Sequence, residues 1–308
     1  MLRITADMFS GRPDPISDIT EENEVRVLLR EVESNRNLFL SKAPAEAGLG
    51  VRGFRIEPLN DEFERDLGVD STLYLPVGAQ ARGSRAAEIG ERLVTLMERG
   101  APFSSGAAAQ PLDASLREFL IAQLSAPSQL SVTDRPATAE VDAEAEQHSE
   151  EATAAAACII ELGKFNPGFW NNDSTVRSRN NCYNYASNWR TDTFAQPGLG
   201  CGSVYKAFTR AELTRASLCD GMHHRYNCFP DSEKPRPLVA LVIAPGIDFH
   251  WYRKQVEGFW GHKPGSYPAR NTDNSGNVIN DPEKANRGPY TEFCGYFYGC
   301  ISQARRIR

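Results

Sequence analysis

The first 157 residues of this 308-residue chain contain no cysteine; all seven cysteines (158, 182, 201, 219, 228, 294 and 300) lie beyond them. So uneven a distribution argues against one homogeneous domain, and the length also favours two. Long apolar runs are lacking too. None approaches the roughly 20 residues that cross a bilayer, which excludes a helical membrane span, and no membrane partner is expected. Positive charge is outnumbered and little clustered: the net charge is −6 and the one basic cluster is Arg305-Arg306-Ile307-Arg308. Nucleic-acid binding needs clustered Lys and Arg to displace counterions, so no nucleic-acid partner is expected and the tail reads as a solvated terminus. The opening residues Met1 to Asp7 lack a basic segment followed by a long apolar stretch. No classical signal peptide is visible there, and the expectation is a cytoplasmic protein or one exported by a non-classical route.

What is present describes a folded chain, 41% apolar and 24% charged. Residues 2 to 8 alternate as a strand does, and the turn chemistry of Phe9 to Pro15 stops it. Asp18 with Glu21 reads as a capping box for a helix that places Val25, Leu28, Leu29 and Val32 on one face. Strands over 51–56 and 72–76, a helix over 85–99 opened by Ser84 and another over 113–124 complete a small α+β module at 1–124. Residues 125–157 collapse to Ala, Glu, Ser, Thr and Pro, with seven acids against one Arg between Asp134 and Glu151. Such a segment buries too little apolar surface to offset its ordering entropy and reads as a flexible acidic linker.

A second domain over 158–308, dense in Asn, Gly, Tyr, Trp and Cys, reads as strands and ordered loops. Leu238 to Ala244 is a continuous apolar run suited to a central strand, ended by Pro245-Gly246. Asp248 to His262 reads as a hairpin turning around Gln255 to Gly258. Centred on Val256, that hairpin makes His250 and His262 direct cross-strand neighbours, about 5 Å apart at Cβ.

Asn180-Asn181-Cys182-Tyr183-Asn184-Tyr185-Ala186 places Cys182 near the start of a short helix over 183–189. Unpaired amides and the positive helix end there favour thiolate over thiol. The backbone amides of Asn181, Cys182 and Tyr183 are candidate oxyanion donors. A thiolate nucleophile needs a proton acceptor, and His250 is the candidate base, with His262 orienting its ring and Asp248 as the runner-up for that role. Trp251, Tyr252 and Trp260 read as core.

This order of Cys182, His250 and, twelve positions on, His262 resembles the NlpC/P60 branch of the papain-like cysteine hydrolases. The resemblance implies a papain-like α+β domain with an antiparallel sheet. It also implies a cysteine-dependent amide hydrolase that cleaves a peptide or protein substrate through a thioester acyl-enzyme and needs no cofactor. Two alternatives stay open: a non-catalytic cysteine-rich binding or structural module in which Cys182 is bridged or buried, and a delivered effector or toxin. Whether Cys158, Cys201, Cys219, Cys228, Cys294 and Cys300 pair depends on the compartment. Cys219, His223, His224 and Cys228 offer a rival zinc set, but a Cys219–Cys228 disulfide or free thiols fit their irregular spacing better, so no metal is expected. Asp273 to Asn277 lacks the closing Glu of a calcium loop and reads as a tight turn. No partner of the first module is legible.

Overall fold

The computed structural model describes residues 1–45, 47–59, 72–77, 84–102, 112–125, 162–224, 236–299 and 306–308. The expected linker, beyond Ser125, lies outside the described residues, as do Cys158, Cys228 and Cys300. The chain divides into two compact units, Met1–Gln129 and Leu130–Arg308. Both are mixed α+β around an antiparallel sheet.

In the first unit the order is β1 (Leu2–Asp7), β2 (Ile16–Ile19), α1 (Glu22–Ser34), β3 (Gly53–Pro58), β4 (Leu73–Pro76), α2 (Ser84–Arg99), β5 (Ala101–Pro102) and α3 (Ala114–Ser125). The sheet runs β4-β3-β1-β2-β5. Alternation buries Leu2, Ile4 and Ala6 of β1, while α1 buries Val25, Leu28 and Val32 at helical spacing. Asp18 is not a helix cap. It lies in β2 opposite Arg3 of β1, and their side chains pair at 2.8 Å; a cross-strand charge pair has used the residue that the capping pattern claimed. Glu21 stands at the N-cap without a side-chain bond. The turn after β1 closes over a buried centre in which Asp7 accepts from Arg52 Nε (2.7 Å) and Tyr74 Oη (2.9 Å), and Asp14 accepts from the amides of Met8 and Phe9.

The second unit comprises α4 (Gly168–Asn171), α5 (Ser174–Arg179), α6 (Cys182–Ser187), α7 (Arg210–Asp220), β6 (Met222–His224), β7 (Leu238–Ala244), β8 (Asp248–Lys254), β9 (Trp260–His262) and β10 (Glu292–Gly299). Its sheet runs β6-β10-β7-β8-β9. Every residue of β7 is buried, as a central strand covered on both faces requires. One face packs Val239, Leu241, Phe249, Trp251 and Phe297 against Cys182, Tyr183 and Ala186 of α6 and Leu213 of α7. The end of the C-terminal tail is anchored rather than freely solvated: Ile307 is fully buried in the same cluster and the carbonyl of Arg308 accepts from the Gln196 amide at 2.8 Å. One buried isoleucine anchors the tail while its flanking Arg306 and Arg308 stay exposed.

The hairpin differs by one position from its expected register. Tyr252 faces His262 and Lys254 faces Trp260, so the turn is centred on Glu257 and His250 lies diagonal to His262.

Candidate functional site

Cys182 is the first residue of α6, and Asn181 is its N-cap. The cap is reciprocal. Asn181 Oδ1 accepts from the amides of Tyr183 (3.0 Å) and Asn184 (3.1 Å), while Asn184 Oδ1 accepts from the Asn181 amide at 3.0 Å. This capping box satisfies amides that a helix start otherwise leaves orphaned. It also corrects the expected oxyanion set of Asn181, Cys182 and Tyr183, because two of those three amides already donate to side-chain carbonyls.

The thiol of Cys182 is fully buried, with Sγ 3.9 Å from the carbonyl oxygen of Phe249. Burial, with the nearby charge of Asp248 adding to it, pushes its pKa well above the ordinary thiol value, and the Trp251 amide and Lys263 only partly oppose this. Cys182 is therefore a thiol at neutral pH. A helix start did not produce a thiolate because α6 spans six residues and its start is enclosed in core.

The structure brings His250 and His262 together, with Nε2 of the first 2.8 Å from Nδ1 of the second and both rings fully buried. The diagonal cross-strand position reaches because both side chains are long. His262 Nε2 lies 2.9 Å from the carbonyl of Thr272, which can only accept, so Nε2 carries the proton. Arg270 Nε also approaches that nitrogen, at the longer distance of 3.3 Å; the shorter carbonyl contact sets the tautomer. Burial, and then the charge of Arg270, lower the His262 pKa to about 3. The neutral ring thus accepts at Nδ1 from His250 Nε2–H. Asp248 accepts from Tyr290 Oη at 2.6 Å, and Tyr252 packs beside His262 with ring centroids 5.2 Å apart.

Three asparagines whose side chains carry no role in the sequence reading organise this region. Asn180, Asn181 and Asn184 are each fully buried. Asn180 Oδ1 accepts from the amides of Thr191 and Asp192, and its Nδ2 donates to Val176 O and Asp192 Oδ1. Asn181 Nδ2 donates to Ala195 O at 2.7 Å; Asn184 donates to Trp189 O and Thr191 Oγ1 and accepts from the Ala195 amide. Together they hold the segment 188–195, in which Asn188, Asp192 and Phe194 take positive φ of 51°, 54° and 60°. Non-glycine residues persist there only when their surroundings over-determine them. The ammonium of Lys263, also buried, donates to the carbonyls of Arg177, Asn180 and Gly265, tying the turn before Cys182 to the residues after β9. Desolvation lowers its pKa to about 7. The three-residue spacing of Asn181 and Asn184 was the available signal: it is that of a capping box.

Cys219 pairs with Cys201 rather than with Cys228. The disulfide ties the loop after the asparagine-held segment to the last turn of α7. Next to it, buried Asp220 accepts from Tyr183 Oη (2.9 Å) and from the amides of Gly198 and Cys201. Cys219 is thus unavailable to zinc, and among the described residues no group of three His, Cys, Asp or Glu side chains is placed to hold a metal ion. Asp273 forms the expected turn, its carboxylate accepting from the amides of Ser275, Asn277 and Asn286.

Comparison with known proteins adds a different kind of observation. The chain is 47% identical over 133 residues to insoluble matrix shell protein 1 of Ruditapes philippinarum, a stretch that is 43% of this chain and 87% of that protein. No family model and no solved structure matches the chain. The similarity overturns the expectation of a cysteine-dependent hydrolase or peptidase: the relative is named for an insoluble shell matrix and not for a reaction. It favours the alternative, a structural module.

Proposed function

The chain belongs to the family of insoluble matrix shell protein 1, and on that premise we propose that it is a structural constituent of an extracellular matrix whose Cys182 centre is core and not an active site. The observation that carries this reading is the 47% identity across 87% of the shell protein. The chemistry around Cys182 supports it. A nucleophile must be ionised and reachable, whereas this thiol is protonated and enclosed. An oxyanion hole must keep its donors free for the reaction, whereas the Asn181 and Tyr183 amides are committed to the cap. On this reading the Cys182, His250 and His262 arrangement belongs to a papain-like scaffold retained for packing. The Cys201–Cys219 disulfide supports an extracellular setting, since such bonds persist in oxidising compartments.

Retention tests the matrix role. The full chain, produced in bacteria under oxidising refolding, is incubated with the insoluble residue of bivalve shell, washed with salt and detergent, and sedimented. The proposal expects most of the chain in the pellet, with Cys182→Ala retained equally. A chain left wholly in the supernatant overturns the matrix role.

A further inference from the structure

The turn between α4 and α5 carries Asn172-Asp173-Ser174, an Asn-x-Ser tripeptide whose middle residue is not proline, and all three residues are exposed. The Asp173 carboxylate caps α5 by accepting from the amides of Thr175 (2.8 Å) and Val176 (3.1 Å), so the turn is fixed without help from its neighbours' side chains. Neither the Asn172 carboxamide nor the Ser174 hydroxyl makes a hydrogen bond to a described residue. Phe169 stands three positions before Asn172, on the same helical side; the residue is 40% exposed, with the Arg190 guanidinium stacked 3.5 Å from its ring centroid. The second, independent observation is the Cys201–Cys219 disulfide. The oxidising compartment that forms it is the one in which Asn-x-Ser/Thr acceptors are glycosylated.

We propose that Asn172 is an N-glycosylation site. The donor class is an oligosaccharide carried on a lipid pyrophosphate. Asn172 Nδ2 forms a bond to the anomeric carbon while that carbon's bond to the pyrophosphate oxygen breaks; the lipid pyrophosphate leaves with the electron pair, and Nδ2 gives up one of its two protons. Nothing is oxidised or reduced. Transfer precedes folding, so the fold has only to accommodate the product, and an exposed, unpartnered carboxamide does so at no packing cost. The first sugar then lies beside Phe169 and covers apolar surface that the protein leaves in water. The neighbouring exposed Asn188 is followed by Trp189 and Arg190, and so lacks the hydroxyl acceptor that the modification requires.

The inference rests on the extracellular reading above. To test it, the full chain with an added secretory signal is expressed in an animal cell line, and the secreted, disulfide-bonded protein is peptide-mapped. Enzymatic release of glycans in heavy-oxygen water is expected to leave a labelled carboxylate at position 172. Ser174→Ala and Asn172→Gln are each expected to remove one whole glycan from the intact mass, whereas Ser174→Thr keeps it. Secreted, disulfide-bonded chain with unmodified Asn172 overturns the proposal. Retention on shell residue is measured on bacterial, unglycosylated chain, so a glycan without retention sinks only the matrix role, and retention without a glycan sinks only this site.

Discussion

Replacing Asn181 by Ala removes the N-cap of α6 and strands the groups it serves. The lost cap costs about 1 kcal/mol. The buried carbonyl of Ala195 loses the Asn181 Nδ2 donor at 2.7 Å and keeps only Gln196 Nε2 at 3.1 Å, at a further cost of about 1 kcal/mol. A total of about 2 kcal/mol lowers the melting temperature of a unit of this size by about 6 °C. All four tryptophans (170, 189, 251 and 260) belong to the second unit, so tryptophan fluorescence during thermal unfolding of the full chain follows that unit alone. Asn181→Ser, which keeps a capping oxygen but is too short to reach Ala195, is expected to lose about half as much. Asn172→Ala, at an exposed carboxamide without a partner, is the control and stays within about 0.5 kcal/mol of the parent. A shift of under about 2 °C for Asn181→Ala would refute the idea that buried asparagines hold this region together.

Three further outcomes follow from the same physics. His262 is held neutral with a pKa of about 3 against 6.5 when unfolded. The unfolded chain therefore binds one more proton there as pH falls below about 6.5, and stability falls with it at up to about 1.4 kcal/mol per pH unit until pH 3; His262→Gln should flatten that slope in urea titrations, and an unchanged slope sinks the assignment. A Cβ at Gly200 would stand 1.5 Å from the carbonyl oxygen of Arg306, so Gly200→Ala should expel the tail that buries Ile307, cost about 2–3 kcal/mol and speed carboxypeptidase release of the last residues. Replacing Cys201 and Cys219 together by Ser opens a loop of 18 residues and should cost about 3 kcal/mol, read as a lower urea midpoint for tryptophan fluorescence.

Much of the architecture was legible because it is written in periodicity. The alternation of Leu2, Ile4 and Ala6 and the apolar run of β7 each admit one burial pattern, and β1, β3, β4, α2 and α3 lie within two residues of their expected bounds, whereas β2 and β5 have no counterpart in the expectation. Legibility ended where two local signals compete or where a partner is distant in sequence. Asp18 has the spacing of a cap and the position of a cross-strand ion pair, and only tertiary pairing with Arg3 decides between them. The hairpin centre slipped from Val256 to Glu257, which replaces a direct pair of histidines by a diagonal one and puts Tyr252 opposite His262. Cys219 finds Cys201, eighteen residues back, across a loop shaped by Asp220. The reading of Cys182 failed for a different reason. A cysteine at a helix start flanked by asparagines is compatible with a reactive thiolate or with a buried cap, and what separates them is solvent access, which local sequence does not encode.

Whether Cys182 is core is measured directly by its labelling rate. The folded full chain is exposed to iodoacetamide from pH 6 to 9, with each thiol followed by peptide mass mapping beside half-buried Cys294. Cys182 is predicted to stay unlabelled until the second unit unfolds, with a rate in rising urea that tracks the tryptophan transition. Rapid labelling of Cys182 in the folded protein near neutral pH, ahead of Cys294, would contradict the account and return the residue to the class of activated thiolates.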